Sequence, residues 1–438
     1  MNDVFQVPFS ESSELQRRLD SNLPKGLNSR VVLGLAYGDQ RSYARTAQDS
    51  ACPVTVAEEM ISVGCCMKLI TACLLRCASI EHGFALGDEV ASILAPRLKE
   101  YSKVLQDIKV KHLLEHTHGL DGSLASSLPL LQSGFIDACD LWRLLANSHP
   151  LAPPGAISSY SNCGAWIIGV LLEHLYNKEF HAFMDACVGR RSLQSVRQIR
   201  GPCCPATGSL YFRVKLSELL QFLAEELADV FCNLSSDHAE LSSKVTPLPG
   251  WHPFERGIYL GWKYYGAGWF GHNSTVPTAP MLLRVNPFRK LVIVIATNGY
   301  NPNAIFAKVL AQEFGDFTRS DMPRPINPTE LANMNLSGYQ GVFGNSQIRL
   351  HITLDESGRL KLSVFRKRAD SAGFVPDFTA FLRPAENDIL FIQEQGIDFV
   401  PSIQFRHDDS RSCSYLWNGQ SVWPAIPDSI PRQLEPKT

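Results

Sequence analysis

The amino-acid sequence predicts an α+β fold with an antiparallel sheet, followed by a small antiparallel β-barrel. Two short strands are expected first, over 31–39 and 41–48, and a long helical region follows them. Strand patterns return from Tyr259 onward, and a helix over 305–317 ends this part of the chain. Because strands and helices stand in separate blocks rather than in alternation, the order is typical of an α+β domain.

Each helix prediction rests on the spacing of apolar residues. A helix over 12–23 precedes the first strands, and a long helix over 65–81 follows them and ends at His82-Gly83. In the long helix the apolar residues recur every three to four positions, at Leu69, Ala72, Cys73, Leu75 and Cys77. Further helices are expected after the turn at 153–155 and over 215–227. These helices form an all-helical region beside the sheet.

The C-terminal part of the chain has a different pattern. Residues 318–332 are expected to form a linker, because three prolines stand there in a polar setting. From 333 to 438, short segments of alternating hydrophobicity are separated by turns of Asp, Gly and Asn type, which favours an antiparallel barrel. We therefore expect a catalytic domain over 1–317, a linker over 318–332 and a barrel over 333–438.

Composition limits the classes of function. A net charge of −2 over 438 residues offers no basic surface for nucleic acid, so no nucleic-acid partner is expected. The N-terminal residues lack the pattern of an export signal, and no apolar run approaches the ~20 residues of a membrane span. The expectation is a cytoplasmic protein without membrane contact. The 12 cysteines show no zinc-ligand spacing, and neither a metal nor an organic cofactor is expected.

One candidate nucleophile stands at the start of the long helix, in the segment Cys65-Cys66-Met67-Lys68. Three residues make about one helical turn, so Lys68 is expected on the same face as Cys65. A helix N-terminus and a nearby ammonium group both favour the thiolate, which is the nucleophilic form of cysteine. Taken alone, this spacing is more typical of a buried core cysteine.

Further motifs follow along the chain, with Tyr160 about a hundred residues after Cys65 and His272 about a hundred residues after Tyr160. They are LLEHTHGL over 113–120, Tyr160-Ser161-Asn162, Gly208-Ser209-Leu210, Gly261-Trp262 and His272-Asn273-Ser274. In this order and spacing the chain resembles, over about residues 10–317, the serine β-lactamase and penicillin-binding-protein superfamily. That superfamily includes class C β-lactamases, family VIII esterases and several acyltransferases. Its Ser-x-x-Lys box reads Cys65-Cys66-Met67-Lys68 here, and the C-terminal part resembles the lipocalin-like barrel often appended to such proteins.

The resemblance implies a β-lactamase/transpeptidase-like fold and a catalytic role for three residues. Lys68 and Tyr160 would act as general base and acid around the nucleophile Cys65. Substrate-binding roles would fall to Asn162, His272, Asn273, Ser274 and Trp262. Backbone N–H groups of Cys65 and of the strand around Ser274 would form the oxyanion hole.

Cys65 replaces the serine that the family uses, and Ser274 stands where the family has a small glycine. A degraded site would be expected to lose Lys68, Tyr160 and Asn162 as well, yet all three are present. A thioester intermediate favours attack by amines over water more than an oxygen ester does. The leading interpretation is therefore an acyltransferase of specialised metabolite biosynthesis that forms an amide or ester.

The expected partners are a small-molecule acyl donor, an ester or a thioester that could be carrier-bound, and an amine or hydroxyl acceptor. Two alternatives stay open on the sequence. One is a hydrolase (an esterase, thioesterase or peptidase) that uses the same Cys-Lys-Tyr site. The other is a catalytically inactive binding module that keeps the fold.

Overall fold

The computed structural model describes residues 12–23, 30–46, 54–94, 103–122, 146, 150–178, 180, 197–198, 212–231, 234, 237–275, 280–314, 324–345, 347–367, 373–393, 402–407, 413–418 and 421–426. The chain divides into two compact units. The first unit comprises residues 1–115, 164–247 and 254–319, and the second comprises 116–163, 248–253 and 320–438.

Ten helices and nineteen strands are numbered along the part of the chain that the structure describes. The helices are α1 Ser12–Asn22, α2 Met67–His82, α3 Val90–Leu94, α4 Val110–Leu114, α5 Asn162–Tyr176, α6 Leu216–Val230, α7 His238–Lys244, α8 Pro302–Val309, α9 Ala311–Phe314 and α10 Pro328–Ala332. The strands of the first unit are β1 Val31–Tyr37, β2 Gln40–Arg45, β3 Met60–Ser62, β4 Arg197–Gln198, β5 Phe212–Lys215, β6 Thr246–Pro247, β7 Gly257–Tyr259, β8 Trp262–Gly266, β9 Trp269–Ser274, β10 Met281–Asn286 and β11 Leu291–Thr297. Those of the second unit are β12 Gly341–Gly344, β13 Ile348–Leu354, β14 Leu360–Lys367, β15 Phe374–Ala385, β16 Ile389–Gln393, β17 Ser402–His407, β18 Cys413–Trp417 and β19 Val422–Pro424.

The first unit is built on an antiparallel sheet of order β2-β1-β11-β10-β9-β8-β7-β6. Its central strands β10 and β11 are buried along their whole length, which explains the nearly continuous apolar sequence of β11. In β10, Arg284 and Asn286 are buried as well. Leu33 and Ile293 pack with Leu15 of α1 and Phe306 of α8 on one face. Gly34 lies against α6 on the other face, because alternate residues of a strand point to opposite sides. A second, smaller sheet has the order β3-β5-β4.

The second unit contains a nearly closed antiparallel barrel. Strands β12 to β19 pair consecutively along the chain, and a bridge between Phe343 and Ala425 brings the last strand back to the first. Alternating residues of these strands fill the barrel core, among them Leu350, Leu362 and Phe405. Apolar residues alternate in the sequence of these segments because successive side chains of a strand point to opposite faces.

The predicted fold class is confirmed: an antiparallel sheet flanked by helices, with an antiparallel barrel in the C-terminal region. Within the expected linker 318–332, Asn327 caps the short helix α10. The segment Gly208-Ser209-Leu210 lies outside the described residues. The division into a catalytic domain, a linker and a barrel stays a prediction. Among the helices that the structure describes, none has the length and apolar character needed to cross a membrane.

Candidate active site

Cys65 lies on a tight turn between β3 and α2. The turn is a 3₁₀-helical segment, Gly64–Cys66, that runs directly into α2. Gly64 has a φ of 51°, in the left-handed region that glycine adopts without steric cost. The side chain of Cys65 is half-buried and its thiol is free. The local sequence thus holds a partly accessible thiol at the start of a long helix.

Lys68 lies one helical turn after Cys65 and is 7% exposed. Burial lowers the pKa of its amine, the neighbouring Lys263 lowers it further, and Cys65 acts in the opposite direction. Desolvation is the largest of these effects, so the neutral amine is favoured relative to a lysine in water. A neutral amine beside a thiol can accept the thiol proton.

Cys66 differs from Cys65 although the two are adjacent. Its side chain is 2% exposed, and its Sγ donates to the backbone carbonyl of His272 at 3.6 Å. Burial raises the pKa of the Cys66 thiol well above its ordinary range. Cys66 is therefore a core residue that connects the turn to β9, whereas Cys65 is the half-exposed thiol of the pair.

Three predicted substrate-binding residues form the end of β9. His272 and Ser274 are buried, and Nδ1 of His272 lies 2.7 Å from the carbonyl oxygen of Asn273. In the register with β8, Gly271 is opposite Lys263, and β8 begins one residue earlier at Trp262. Within the described sheet, Asn273 and Ser274 therefore extend past the start of β8. A strand end of this kind offers backbone N–H and C=O groups to an extended ligand.

Trp262 stands at the end of the β7–β8 hairpin. It is 1% exposed, and its ring meets that of Phe231 edge-on at 5.5 Å between centroids. The hairpin turn contains Gly261 at a φ of 90°, and a Cβ on this glycine would come within 2.8 Å of the Cβ of Ala72 in α2. The structure thus places Trp262 in the core beside the hairpin, and its role in substrate binding stays a prediction.

Arg284 of β10 is a residue of this region that the sequence did not single out. It is 2% exposed, and its Cζ lies 3.7 Å from the centroid of the Tyr265 ring. Its Nη1 donates to Oδ1 of Asn273 at 2.8 Å, which fixes the side chain of a predicted site residue. The signal in the sequence was a single arginine within the apolar strand MLLRVN.

Tyr160 and Asn162 belong to the second unit. Tyr160 is half-buried in the segment before α5, and Asn162 is the first residue of that helix. Oγ of Ser161 accepts a hydrogen bond from the backbone N–H of Cys163 at 3.0 Å, and so caps the first turn. Because Ser161 makes this bond, the side chain of Asn162 is not needed as the cap.

His116 holds the segment that carries Tyr160. Its carbonyl oxygen accepts the N–H of Ser159 at 2.8 Å, and its Nδ1 accepts the N–H of Ser161 at 3.2 Å. The rings of His116 and Tyr160 are 4.8 Å apart between centroids. His118, two residues on, bonds within its own loop, where its Nδ1 accepts the N–H of Leu120 at 3.0 Å. His116 is thus the histidine of this motif whose ring contacts Tyr160, a predicted catalytic residue.

The predicted residues therefore occur in two groups. The first unit brings together Cys65, Lys68, Trp262, His272, Asn273 and Ser274, and the second unit holds Tyr160 and Asn162. In the part of the chain that the structure describes, no three His, Cys, Asp or Glu side chains are placed to hold a metal ion. The chemistry that the first group can perform is that of a thiol beside a buried amine.

Comparisons with known proteins agree with the fold. The β-lactamase family model matches residues 22–192, a range that includes both Cys65 and Tyr160. No curated protein sequence matches the chain.

Among solved structures, SurE with D-Leu has 21% sequence identity to this chain, a TM-score of 0.69 and coverage of 95% of this chain and 99% of its own. The D-amino acid amidase from Ochrobactrum anthropi SV3, complexed with L-phenylalanine amide, has 16% identity, a TM-score of 0.54 and coverage of 69% and 98%. A class C β-lactamase mutant has 14% identity, a TM-score of 0.51 and coverage of 69% and 98%. At these identities the likeness concerns the fold. The β-lactamase family match and these structural neighbours therefore agree on a β-lactamase-like fold for this chain.

Proposed function

We propose that this protein is an acyltransferase in which Cys65 carries the acyl group as a thioester. The observation that carries the proposal is the pairing of a half-exposed thiol with a buried amine one helical turn away. The amine of Lys68 has a lowered pKa, mainly through burial, and this suits a general base.

In the first step, Sγ of Cys65 attacks the carbonyl carbon of an ester or thioester donor. Lys68 takes the thiol proton, and the tetrahedral intermediate collapses as the bond to the donor's oxygen or sulfur breaks. The proton returns to that leaving group, either from Lys68 or through Tyr160. The oxyanion accepts hydrogen bonds from the backbone N–H groups of Cys65 and of the end of β9, the arrangement that the family resemblance implies.

In the second step, an amine or hydroxyl acceptor attacks the Cys65 thioester. The acceptor loses a proton to Lys68 or to Tyr160, and the Cys65 thiolate leaves and is reprotonated. Asn162 would orient Lys68 and the acyl group in both steps. The products are an amide or ester and the free enzyme, so no oxidant, metal or further co-reactant is required.

Transfer is preferred over hydrolysis because of the sulfur atom at position 65. A thioester carbonyl is less stabilised by resonance than an oxygen ester, and it reacts with amines faster than with water. The structural neighbours support testing amino-acid acceptors, since one was solved with D-Leu and another with an amino acid amide. A role in specialised metabolite biosynthesis is part of the same proposal.

A hydrolase is the second candidate, because two structural neighbours are described as an amidase and a β-lactamase. The two candidates share the acyl-enzyme and differ in what accepts the acyl group. Product analysis with and without an amine separates them: the transferase yields the amide, whereas a hydrolase yields only the free acid.

The decisive experiment is intact-mass spectrometry of the protein after incubation with activated esters and thioesters. We expect a mass increase of one acyl group that maps to Cys65 and disappears when an amine is added. Cys77→Ala is the matched control, because Cys77 is also a half-buried cysteine outside any disulfide, on the helix that follows Cys65. Full turnover by Cys65→Ala would contradict the proposal. Failure to form an adduct, together with alkylation of Cys65 by iodoacetamide no faster than of Cys77, would favour an inactive binding module.

A further inference from the structure

A cavity of about 150 Å³ lies in the first unit beside the strand that leads to Cys65. Its walls come from β3, β5 and the ends of β1 and β11, and Arg30 and Arg213 are among the residues that line it. The volume exceeds that of several waters and is below the ~300 Å³ at which pockets for whole drug-sized ligands begin. The cavity therefore suits one small polar group of a ligand.

The polar side chains of this cavity are mainly hydrogen-bond donors. Arg213 is exposed and lies directly opposite Ser62 in the β3–β5 register, so the two side chains share a face of that sheet. Asn298 uses its Oδ1 to accept the backbone N–H of Arg30 at 2.6 Å, which leaves its amide nitrogen as a donor. Two guanidinium groups, the hydroxyls of Ser62 and Thr297 and an amide thus line one small space, together with the carboxylate of Glu59.

Glu59, the carboxylate in this wall, is already engaged by two arginines. Its Oε2 accepts from Nη2 of Arg30 at 2.6 Å, and its Oε1 accepts from Nη1 of Arg45 at 2.7 Å. The carboxylate is 2% exposed, so both of its oxygens face these partners rather than solvent. Arg30 and Arg213 against Glu59 give the cavity lining a formal charge of +1, and Arg45, bonded to the same carboxylate, adds a further positive charge nearby. This charge favours an anion in the cavity.

We propose that this cavity is a binding site for a carboxylate or phosphate group. Both groups match the planar fork of an arginine, which donates two parallel hydrogen bonds to their oxygens. Ser62 lies three residues before Cys65, so their Cα atoms are at most ~10 Å apart. A group bound here is therefore close to the thiol. That it belongs to the acyl donor rests on the function proposed above.

The anion site is tested first without reference to catalysis. Thermal unfolding is measured with inorganic phosphate and with acetate, each against sodium chloride at matched ionic strength. A ligand that binds only the folded state raises the melting temperature. We expect a rise in the wild type and in Lys290→Gln, and no rise in Arg213→Gln. Both substitutions remove one positive charge from an exposed side chain, so we expect both variants to fold. No rise in the wild type, or an equal rise in Arg213→Gln, overturns the site.

The comparison of phosphate with acetate identifies the preferred anion. Acylation with donors that do or do not carry an anionic group then tests whether the bound anion is part of the acyl donor. Acylation of Cys65 is measured with three donors. Butyryl N-acetylcysteamine carries no anionic group, glutaryl N-acetylcysteamine carries a carboxylate, and butyryl phosphopantetheine carries a phosphate. We expect Arg213→Gln to raise KM about tenfold for one anionic donor and to leave the neutral donor unchanged. Equal effects on all three donors overturn the assignment to the donor. If no donor acylates Cys65, the proposed function fails, while the thermal experiment still decides on the anion site.

Discussion

The imidazole ring of His116 lies against the phenol ring of Tyr160, with 4.8 Å between their centroids. The same histidine accepts the N–H of Ser161 through Nδ1, so it fixes both the ring and the backbone beside it. His116 is itself held at a φ of 55°, in the left-handed region. The geometry makes His116 a positioning residue for Tyr160, the proposed general acid and base.

Substitution of His116 is expected to separate stability from catalysis. His116→Ala leaves the buried N–H of Ser161 without its acceptor and should lower the free energy of unfolding by about 2 kcal/mol. His116→Asn should recover most of this loss, because asparagine tolerates a positive φ and its Oδ1 can replace Nδ1 as acceptor. Neither variant restores the ring contact, so both should slow acylation of Cys65 about tenfold or more.

His118→Ala is the matched control for this prediction. His118 is also buried and also accepts a backbone N–H through Nδ1, at 3.0 Å from Leu120. We expect a comparable loss of stability without the loss of acylation rate. Urea denaturation and single-turnover acylation measure the two effects. A normal acylation rate in His116→Asn would show that the ring contact does not position Tyr160.

Ser159 joins the same segment to the barrel. Ser159 directly precedes Tyr160, and its Oγ accepts the N–H of Val422 in β19 at 3.2 Å. Ser159→Ala leaves that N–H without an acceptor next to a buried valine and should cost about 1 kcal/mol of unfolding free energy. We also expect slower acylation of Cys65, and restoration of both properties in Ser159→Thr, which keeps the hydroxyl.

Ser357→Ala, at an exposed barrel turn, is the control for Ser159. It should change neither stability nor rate. If Ser159→Ala loses stability but acylates Cys65 at the wild-type rate, the barrel contact has a structural role and does not position Tyr160.

The sequence was most informative where a local pattern alone determines the structure. The apolar run of β11 is typical of a central strand, because a strand buried on both faces carries apolar residues at nearly every position. The spacing of Cys65 and Lys68 predicts two side chains one helical turn apart, and both lie on the continuous helical segment that follows Gly64. The positive φ of Gly64 was not foreseen, since a glycine in the sequence does not state its conformation.

Long-range contacts could not be read in the same way. His116 bonds to residues more than forty positions later, and no periodicity within 113–120 indicates which histidine does so. Arg284 is a charged residue and by residue type alone would be expected at the surface, yet it is buried beside Tyr265 and Asn273. These positions are set by tertiary packing, which overrides the local pattern.

Arg284 is predicted to hold the end of β9 in place. Arg284→Met keeps apolar volume over Tyr265 but removes the donor to Oδ1 of Asn273 and to the carbonyl of Leu283. We expect a loss of about 2 kcal/mol in unfolding free energy and slower acylation of Cys65. Arg284→Lys should recover the rate only in part, because a lysine lacks the planar fork and the ring stacking.

Asn273→Ala tests the same contact from the other side. If Arg284 acts on the site through Asn273, then adding Arg284→Met to Asn273→Ala should slow acylation less than Arg284→Met does alone. The double-mutant cycle is measured by single-turnover kinetics. Fully additive effects would contradict the proposed connection.

Lys68 gives a pH dependence whose sign follows from its lowered pKa. Burial is the main cause of the lowering, so the folded protein releases this proton at a lower pH than the unfolded chain, where lysine has its ordinary pKa of about 10.4. At a pH between the pKa of Lys68 in the folded protein and its pKa in the unfolded chain, the unfolded state binds more protons. The contribution of Lys68 to the free energy of unfolding therefore rises with pH. Acylation of Cys65 should rise over the same range, because the neutral amine is the base.

Lys68→Met removes both effects. Unfolding by urea at pH 7, 8.5 and 10 should show that the stability of the wild type, relative to Lys68→Met, increases with pH. Lys290→Met, at an exposed lysine, is the matched control. The acylation rate of Lys68→Met should be lower by about a hundredfold, the usual contribution of a general base. A stability difference that stays flat or falls with pH would show that burial does not favour the neutral amine at this position.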